Sequence, residues 1–390
     1  MKQTTHISLT QRALAHIDAG TTDLGSEVIR NAVASYTDSN WLQREQDTLF
    51  RSYPLFMGLS CRIPDPGDYL SEDFAAVPIL MIRGDDGQVR AFVNMCRHRG
   101  APLAKNCGNK ANFTCPYHAW RYNKQGKLQV IPDQDSFPGI DKDAHSLIPL
   151  PCAERDGMLW VIPNPDAKIN LTEHLCGMDE DLANYDLARY SHYEGRVLER
   201  RANWKMPIDT FLEAYHFATL HRDSVASIFH QNLCLFDDFG LNLREAVVRK
   251  SIKHLREQDK SEWDFVRHTA ISYQLFPNTV FVMQGDHLET WRIFPLRNQP
   301  DQCIIYFDCY VPEPAVTAKA RKYWDANVAL AIRTVDTEDI AMQIDIERSY
   351  LSGAVDHVLI GRNEPALAHF QMSVERAVRG ENPVERETIK

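Results

Sequence analysis

Two short clusters constrain this chain most: Cys96-Arg97-His98 and Cys115-Pro116-Tyr117-His118, set as C-x-H and C-x-x-H with sixteen residues between them. Two thiolates and two imidazoles so arranged suit a [2Fe-2S] cluster in which one iron takes both sulfurs and the other both nitrogens. Neutral imidazoles in place of two thiolates remove negative charge and raise the cluster's potential, which makes it a one-electron relay. A relay requires a consumer of electrons elsewhere. The same four side chains can also hold tetrahedral Zn(II), so a zinc-stabilised binding protein is the alternative from another class. C-x-H is short for a zinc knuckle.

The fold must bring these ligands together from two loops. Residues 49–165 contain short β-rich pieces, among them Val77–Ile82, Val89–Val93 and Met158–Ile162, separated by Gly, Pro and Asp turns. That pattern predicts a small antiparallel β domain with both ligand clusters in its loops. Before it, residues 10–46 read as helical with a break at 18–23. After Pro163-Asn164-Pro165 the chain enters a helix near residue 207, then strands at 269–283, 287–296 and 303–312. A long helix follows over 315–351, stopped near Gly353. Strands in a run followed by a long helix predict an α+β domain with the helix laid across an antiparallel sheet. The expected organisation is therefore a helical segment over 1–48 packed on the last domain, a cluster domain over 49–165 and a catalytic domain over 166–390.

A chain of 390 residues has room for two or three domains and a buried site. Its formal net charge of -10 argues against nucleic-acid or anionic-membrane binding, which favour a basic face. No stretch approaches the ~20 apolar residues of a membrane span, and the start lacks a cationic-then-apolar leader, so a cytoplasmic location is expected. Nine cysteines scattered singly do not make a disulfide framework. There is no G-x-G-x-x-G after a strand and no plant-type ferredoxin cysteine run, so electrons must come from a separate protein.

A second constellation begins near Pro207. On a continuous helix Ile208, Phe211, Leu212 and Tyr215 form an apolar stripe, with Asp209, Glu213 and His216 in an arc of about 60° beside it. His216 and His221 are five residues apart, about 140° on an ideal helix, so both reach one ion only if the helix ends or widens near Leu220. Two histidines and one carboxylate make the facial triad of non-haem Fe(II) sites. Asp339 is the chosen carboxylate; spacing alone separates it poorly from Glu338 and Asp336.

The two constellations in this order resemble the Rieske non-haem iron oxygenases, the family of ring-hydroxylating dioxygenase α subunits and related monooxygenases. The resemblance is carried by Cys96–Leu103, Thr114–Trp120, Asn203-Trp204-Lys205, Glu213-x-x-His216-x4-His221 and Glu338-Asp339, and covers the chain from about residue 45 onward. It implies a Rieske [2Fe-2S] cluster on Cys96, His98, Cys115 and His118, and a helix-grip catalytic domain holding mononuclear Fe(II) on His216, His221 and Asp339. It also implies a head-to-tail trimer, with or without a β subunit, in which Glu213 bridges a cluster histidine of one subunit to an iron histidine of the next. Electrons would come from an NAD(P)H-dependent reductase, with or without a ferredoxin, to hydroxylate a small molecule with O2. An aromatic substrate, particularly an aromatic acid, is expected first, and a quaternary or methylated amine second. Glu213 and Ala119, where many ring dihydroxylases have aspartate and glycine, look more like the quaternary-amine branch. Tyr273, Phe276, Phe281, Met283 and Trp291 are candidates for the apolar substrate shell, each of which reads more readily as core packing.

Overall fold

The computed structural model describes residues 1–74 and 77–381. It divides into two units, residues 50–170 and residues 1–49 with the described residues from 171 on.

The unit of residues 50–170 is antiparallel β. Its five-stranded sheet is ordered Pro149–Leu150, Val89–Val93, Val77–Arg83, Asp68–Phe74, Asn106–Asn109, and two three-stranded sheets complete it. The core gathers Leu80, Ile82, Phe92, Phe113, Trp120 and Tyr122 around the two motif cysteines, which are themselves core residues. A cysteine is small and apolar enough to sit there, so the sequence buries its sulfurs without a further device.

In the other unit a seven-stranded antiparallel sheet runs in the order Ser191–Arg200, Gln299–Val311, Leu288–Leu296, Thr279–Met283, Thr269–Leu275, Asn242–Arg249, Phe229–Phe239. The expected run 269–283 is two strands joined across Phe276-Pro277-Asn278, and three further strands were not anticipated. The sheet's period of two sorts its faces. Ser272 pairs with Val282 and Val282 with Glu289 along one row, while Tyr273 and Phe281 occupy the next row, facing the other way.

The long helix exists but is not uniform. Thr317 caps it by accepting from the Ala320 N–H at 3.1 Å, and an α-helix runs Ala318–Ile332. A π-helical stretch follows over Arg333–Ile340, then an α-helix over Ala341–Tyr350. Gly353 adopts φ 68°, a left-handed conformation glycine takes freely, just beyond its end. The N-terminal segment is less helical than expected: helix Gln3–Ala19 is followed by strand Ile29–Ala32, paired antiparallel with His357–Ile360, before helices Ala34–Thr37 and Ser39–Ser52.

Asn203-Trp204-Lys205 serves this packing. The wholly buried Lys205 donates to Glu45 Oε1 at 2.6 Å and to the Ser35 carbonyl at 2.7 Å, while the Trp204 indole donates to Glu45 Oε2 at 2.8 Å. Among the described residues no helix is long and apolar enough to cross a membrane.

Candidate metal centres and substrate cavity

In the β unit, two tight loops aim the four motif residues inward. The Cys96 N–H donates to Ala101 O at 2.8 Å and the Cys115 N–H to Trp120 O at 2.8 Å, closing each loop on itself. The imidazoles of His98 and His118 lie 4.6 Å apart between centroids, and His98 stacks on Trp120 at 5.0 Å. Both Nδ1 atoms are buried without a hydrogen-bond partner. Burial raises the Cys96 thiol pKa despite the nearby Tyr122 hydroxyl, so this sulfur ionises readily only if a cation sits on it. Two orphaned imidazole nitrogens beside two buried thiols are the donor set a [2Fe-2S] cluster with mixed ligands requires. Ala119 closes the second loop at φ 57°, a left-handed position that favours glycine over an L side chain.

The second centre departs from the expected continuous helix. Helix Met206–Asp209 tightens to a 3-10 turn over Thr210–Leu212, and Glu213 is extended at φ -159°. The break turns Tyr215, expected in the apolar stripe, out to 66% exposure. The Glu213 carboxylate then folds back, accepting from the Tyr215 N–H at 2.5 Å and the His216 N–H at 3.2 Å. A side chain doing a cap's work explains why the helix can stop there. His216 and His221 flank the four-residue helix Phe217–Leu220, and His221 leaves it at ψ 16°. That ending replaces the divergence of an ideal helix with convergence.

The two Nε2 atoms lie 3.1 Å apart, and Asp339 Oδ1 is 3.4 Å from the first and 3.1 Å from the second. On the far side of each ring, His216 Nδ1 meets Glu213 Oε1, and His221 Nδ1 lies 2.7 Å from Glu338 Oε2. A carboxylate on Nδ1 selects the tautomer protonated there, which leaves the Nε2 lone pairs aimed at each other and at a buried carboxylate oxygen that accepts no hydrogen bond. Three lone pairs aimed at one point repel unless a cation lies between them. Burial opposes an imidazolium at His216, yet Asp339 and Glu213 outweigh it and lift its pKa to about 10. This corner therefore calls strongly for positive charge, and a divalent metal supplies it without a proton. Of the competing acids, Glu338 supports His221 from behind and Asp336 is paired with Arg200 at 2.7 Å.

A cavity of about 760 Å³ opens beside these three residues, walled by the sheet on one side and by the long helix, from Tyr323 to Val335, on the other. The candidate shell is corrected here: Tyr273, Phe276, Phe281, Met283 and Trp291 are core packing residues, and none lines the cavity. Tyr273, Phe281 and Met283 face away by strand alternation; Trp291 stands behind Phe211, 5.6 Å between ring centroids. The wall is instead built from Phe217, Phe229, Val247, Ala270, Ser272 and Val282, with Arg249, Gln284, Asp286 and Glu289 contributing polar groups.

The family model for the ring hydroxylating alpha subunit (catalytic domain) matches residues 187–380, and that for the Rieske [2Fe-2S] domain matches 55–150. The carnitine monooxygenase oxygenase subunit of Acinetobacter baumannii is 32% identical over 357 residues, 86% of this chain and 91% of that protein. The glycine betaine monooxygenase oxygenase subunit of Chromohalobacter salexigens is 33% identical over 194 residues, which cover 50% of this chain but only 43% of that relative. The crystal structure of a quaternary ammonium Rieske monooxygenase in complex with L-carnitine superposes with a TM-score of 0.78 at 22% identity, over 90% of this chain and 96% of that one. The chain belongs to the Rieske non-haem iron oxygenases. It is a terminal oxygenase component, an oxidoreductase whose family carries a Rieske [2Fe-2S] cluster and a mononuclear iron, draws electrons from a separate reductase or ferredoxin, and is oligomeric.

Proposed function

We propose that this oxygenase acts on a quaternary or methylated amine, hydroxylating or demethylating it. The observation that carries this is the likeness to a carnitine monooxygenase oxygenase subunit along 91% of that protein's length. The cavity supports it: Phe217 packs against both imidazoles, at 4.9 and 5.2 Å, and Phe229 against Phe217 at 5.5 Å. Aromatic faces beside an acidic corner attract an alkylated ammonium group. The aromatic substrate expected first from the sequence has the weaker support.

In this reading Cys96, His98, Cys115 and His118 hold the cluster, and His216, His221 and Asp339 hold the iron, whose chemistry when bound is activation of O2. The chain's own residues prepare that chemistry. Glu213 and Glu338 keep the two Nε2 lone pairs free by holding a proton at each Nδ1, and the apolar wall excludes water from the reacting carbon. The segments 1–48, 49–165 and 166–390 serve as support, electron relay and catalytic domain. Electrons pass between neighbours of a head-to-tail trimer through Glu213, fed by an NAD(P)H-dependent reductase.

The test uses the reduced, iron-loaded protein with nitric oxide as a spectroscopic stand-in for O2. Carnitine, glycine betaine and choline are expected to change the electron paramagnetic resonance signal of the iron, and the His216→Ala and His221→Ala variants to lose it. A response to benzoate with none to any quaternary amine would overturn the substrate class.

A further inference from the structure

Arg249 is the unusual residue of the cavity. It ends strand Asn242–Arg249, on the same face as the cavity-lining Val247, and its position within the wall is mostly buried. Its Nη2 donates to Gln284 Oε1 at 2.8 Å and, more weakly, to the Gln284 carbonyl at 3.4 Å. Its Nε is buried with no acceptor. Among the described residues no carboxylate pairs with this guanidinium. The nearby Asp286 is taken by His287 at 2.7 Å and by the Tyr323 hydroxyl at 2.5 Å, and Glu289 accepts from His287 and Trp291 at 3.3 Å. The other cavity arginine, Arg267, is largely exposed and bound to Asp264 at 3.3 Å.

A buried cation with an idle donor is costly unless something completes it. Desolvation accordingly lowers the Arg249 pKa. The geometry gives the missing partner a place. The guanidinium carbon lies 5.8 Å from the centroid of Phe229, Phe229 packs on Phe217, and Phe217 packs on His216 and His221. The cavity thus has a cationic end and a metal end separated by two aromatic rings. An arginine presents its N–H groups as a planar fork that matches a carboxylate.

We infer that Arg249 is the anion anchor of the substrate cavity, and that the substrate is a zwitterion whose carboxylate Arg249 holds while the ammonium end lies along Phe229 and Phe217 toward the metal corner. This rests on the quaternary-amine reading for the ammonium end only. The anchor itself depends on Arg249 and not on the nature of the rest of the substrate. It makes Arg249 a determinant of specificity: amines without a carboxylate leave its guanidinium without a counter-charge, and a site that loses a charge-assisted partner discriminates strongly.

The experiment titrates iron-loaded, nitric-oxide-treated protein with carnitine, glycine betaine, benzoate and choline, comparing wild type with Arg249→Gln and Arg249→Lys at equal cluster absorbance and iron content. For the carboxylates that bind wild type, Arg249→Gln is expected to raise Kd on the order of 10- to 100-fold and Arg249→Lys by less, since a point charge remains without the fork. Choline is expected to bind wild type more weakly than carnitine and to be indifferent to either change. Carboxylate Kd values unchanged in Arg249→Gln would overturn the anchor, as would a wild-type protein that binds none of the three carboxylates. If only benzoate binds and Arg249→Gln abolishes it, the anchor stands and the quaternary-amine reading falls.

Discussion

Glu338 is the acid whose neighbour is the proposed ligand, and its removal separates support from ligation. Its Oε2 accepts from His221 Nδ1 at 2.7 Å and from Ser224 Oγ at 2.6 Å, with the side chain 18% exposed. Its contact with the exposed Arg333 at 3.5 Å adds little. In Glu338→Ala, His221 keeps its Nε2 but loses the acceptor that fixes its tautomer and ring plane. One hydrogen bond to a charged group contributes about 1.5–3 kcal/mol, and loss of such a partner behind a metal-bound histidine typically weakens metal binding about 10- to 100-fold. At about 1.4 kcal/mol per tenfold change the two estimates agree. Glu338→Gln keeps an acceptor without the charge and should cost about half as much in free energy, roughly 3- to 10-fold. The assay is competition for Fe(II) against a chromogenic chelator, with the Rieske absorption of the same sample as the control for folding. Asp339→Asn is expected to lose iron more completely than either. The reasoning fails if Glu338→Ala holds iron as tightly as wild type, or if Asp339→Asn retains iron that Glu338→Ala has lost.

Three further outcomes follow from the geometry. Iron loading of the metal-free protein at pH 7 should release at least one proton from this corner, because His216, which burial disfavours as a cation but Asp339 and Glu213 lift to about 10, must deprotonate to bind; pH-stat titration with no release would show that the two carboxylates do not hold His216 as an imidazolium. Burial raises Asp209 to about 7 although Tyr36 and Gln371 donate to it. A carboxyl with a raised folded pKa contributes stability below its unfolded value that is lost as pH rises through the folded one, so stability should decline between about pH 4 and 7, and Asp209→Asn should flatten that decline in denaturant titrations. Lys205→Met leaves Glu45 buried without its ammonium partner and should cost about 3–5 kcal/mol by the same titrations, with Glu45→Gln added to it restoring part; an unchanged midpoint would show that the pair is not a stabilising contact.

What could be read in advance follows from how local each signal is. The four proposed cluster ligands sit within two short loops closed by their own backbone hydrogen bonds, so their spacing carries their geometry. The proposed iron corner is split across 118 residues, from His221 to Asp339, and the π-helical stretch Arg333–Ile340 shifts the register that would have distinguished Asp339 from Glu338 and Asp336 on an α-helix. Helical periodicity over 207–221 was misleading because the Glu213 side chain supplies a cap where no Ser, Thr, Asp or Asn announces one. Arg249 was illegible for a different reason: strand Asn242–Arg249 is buried along nearly its whole length, so its sequence shows no alternation that would reveal which face meets the cavity.

The long helix has one more consequence. Leu330, Ala331, Thr334 and Val335 shape the cavity, and Asp339 stands one turn beyond them on the same rod. Anyone redesigning this enzyme for new substrates by altering those four positions also perturbs the backbone that carries Asp339, the proposed iron ligand. The strands offer independent handles: Ala270, Ser272 and Val282 border the same space from across it and share no backbone with any of the three proposed iron ligands.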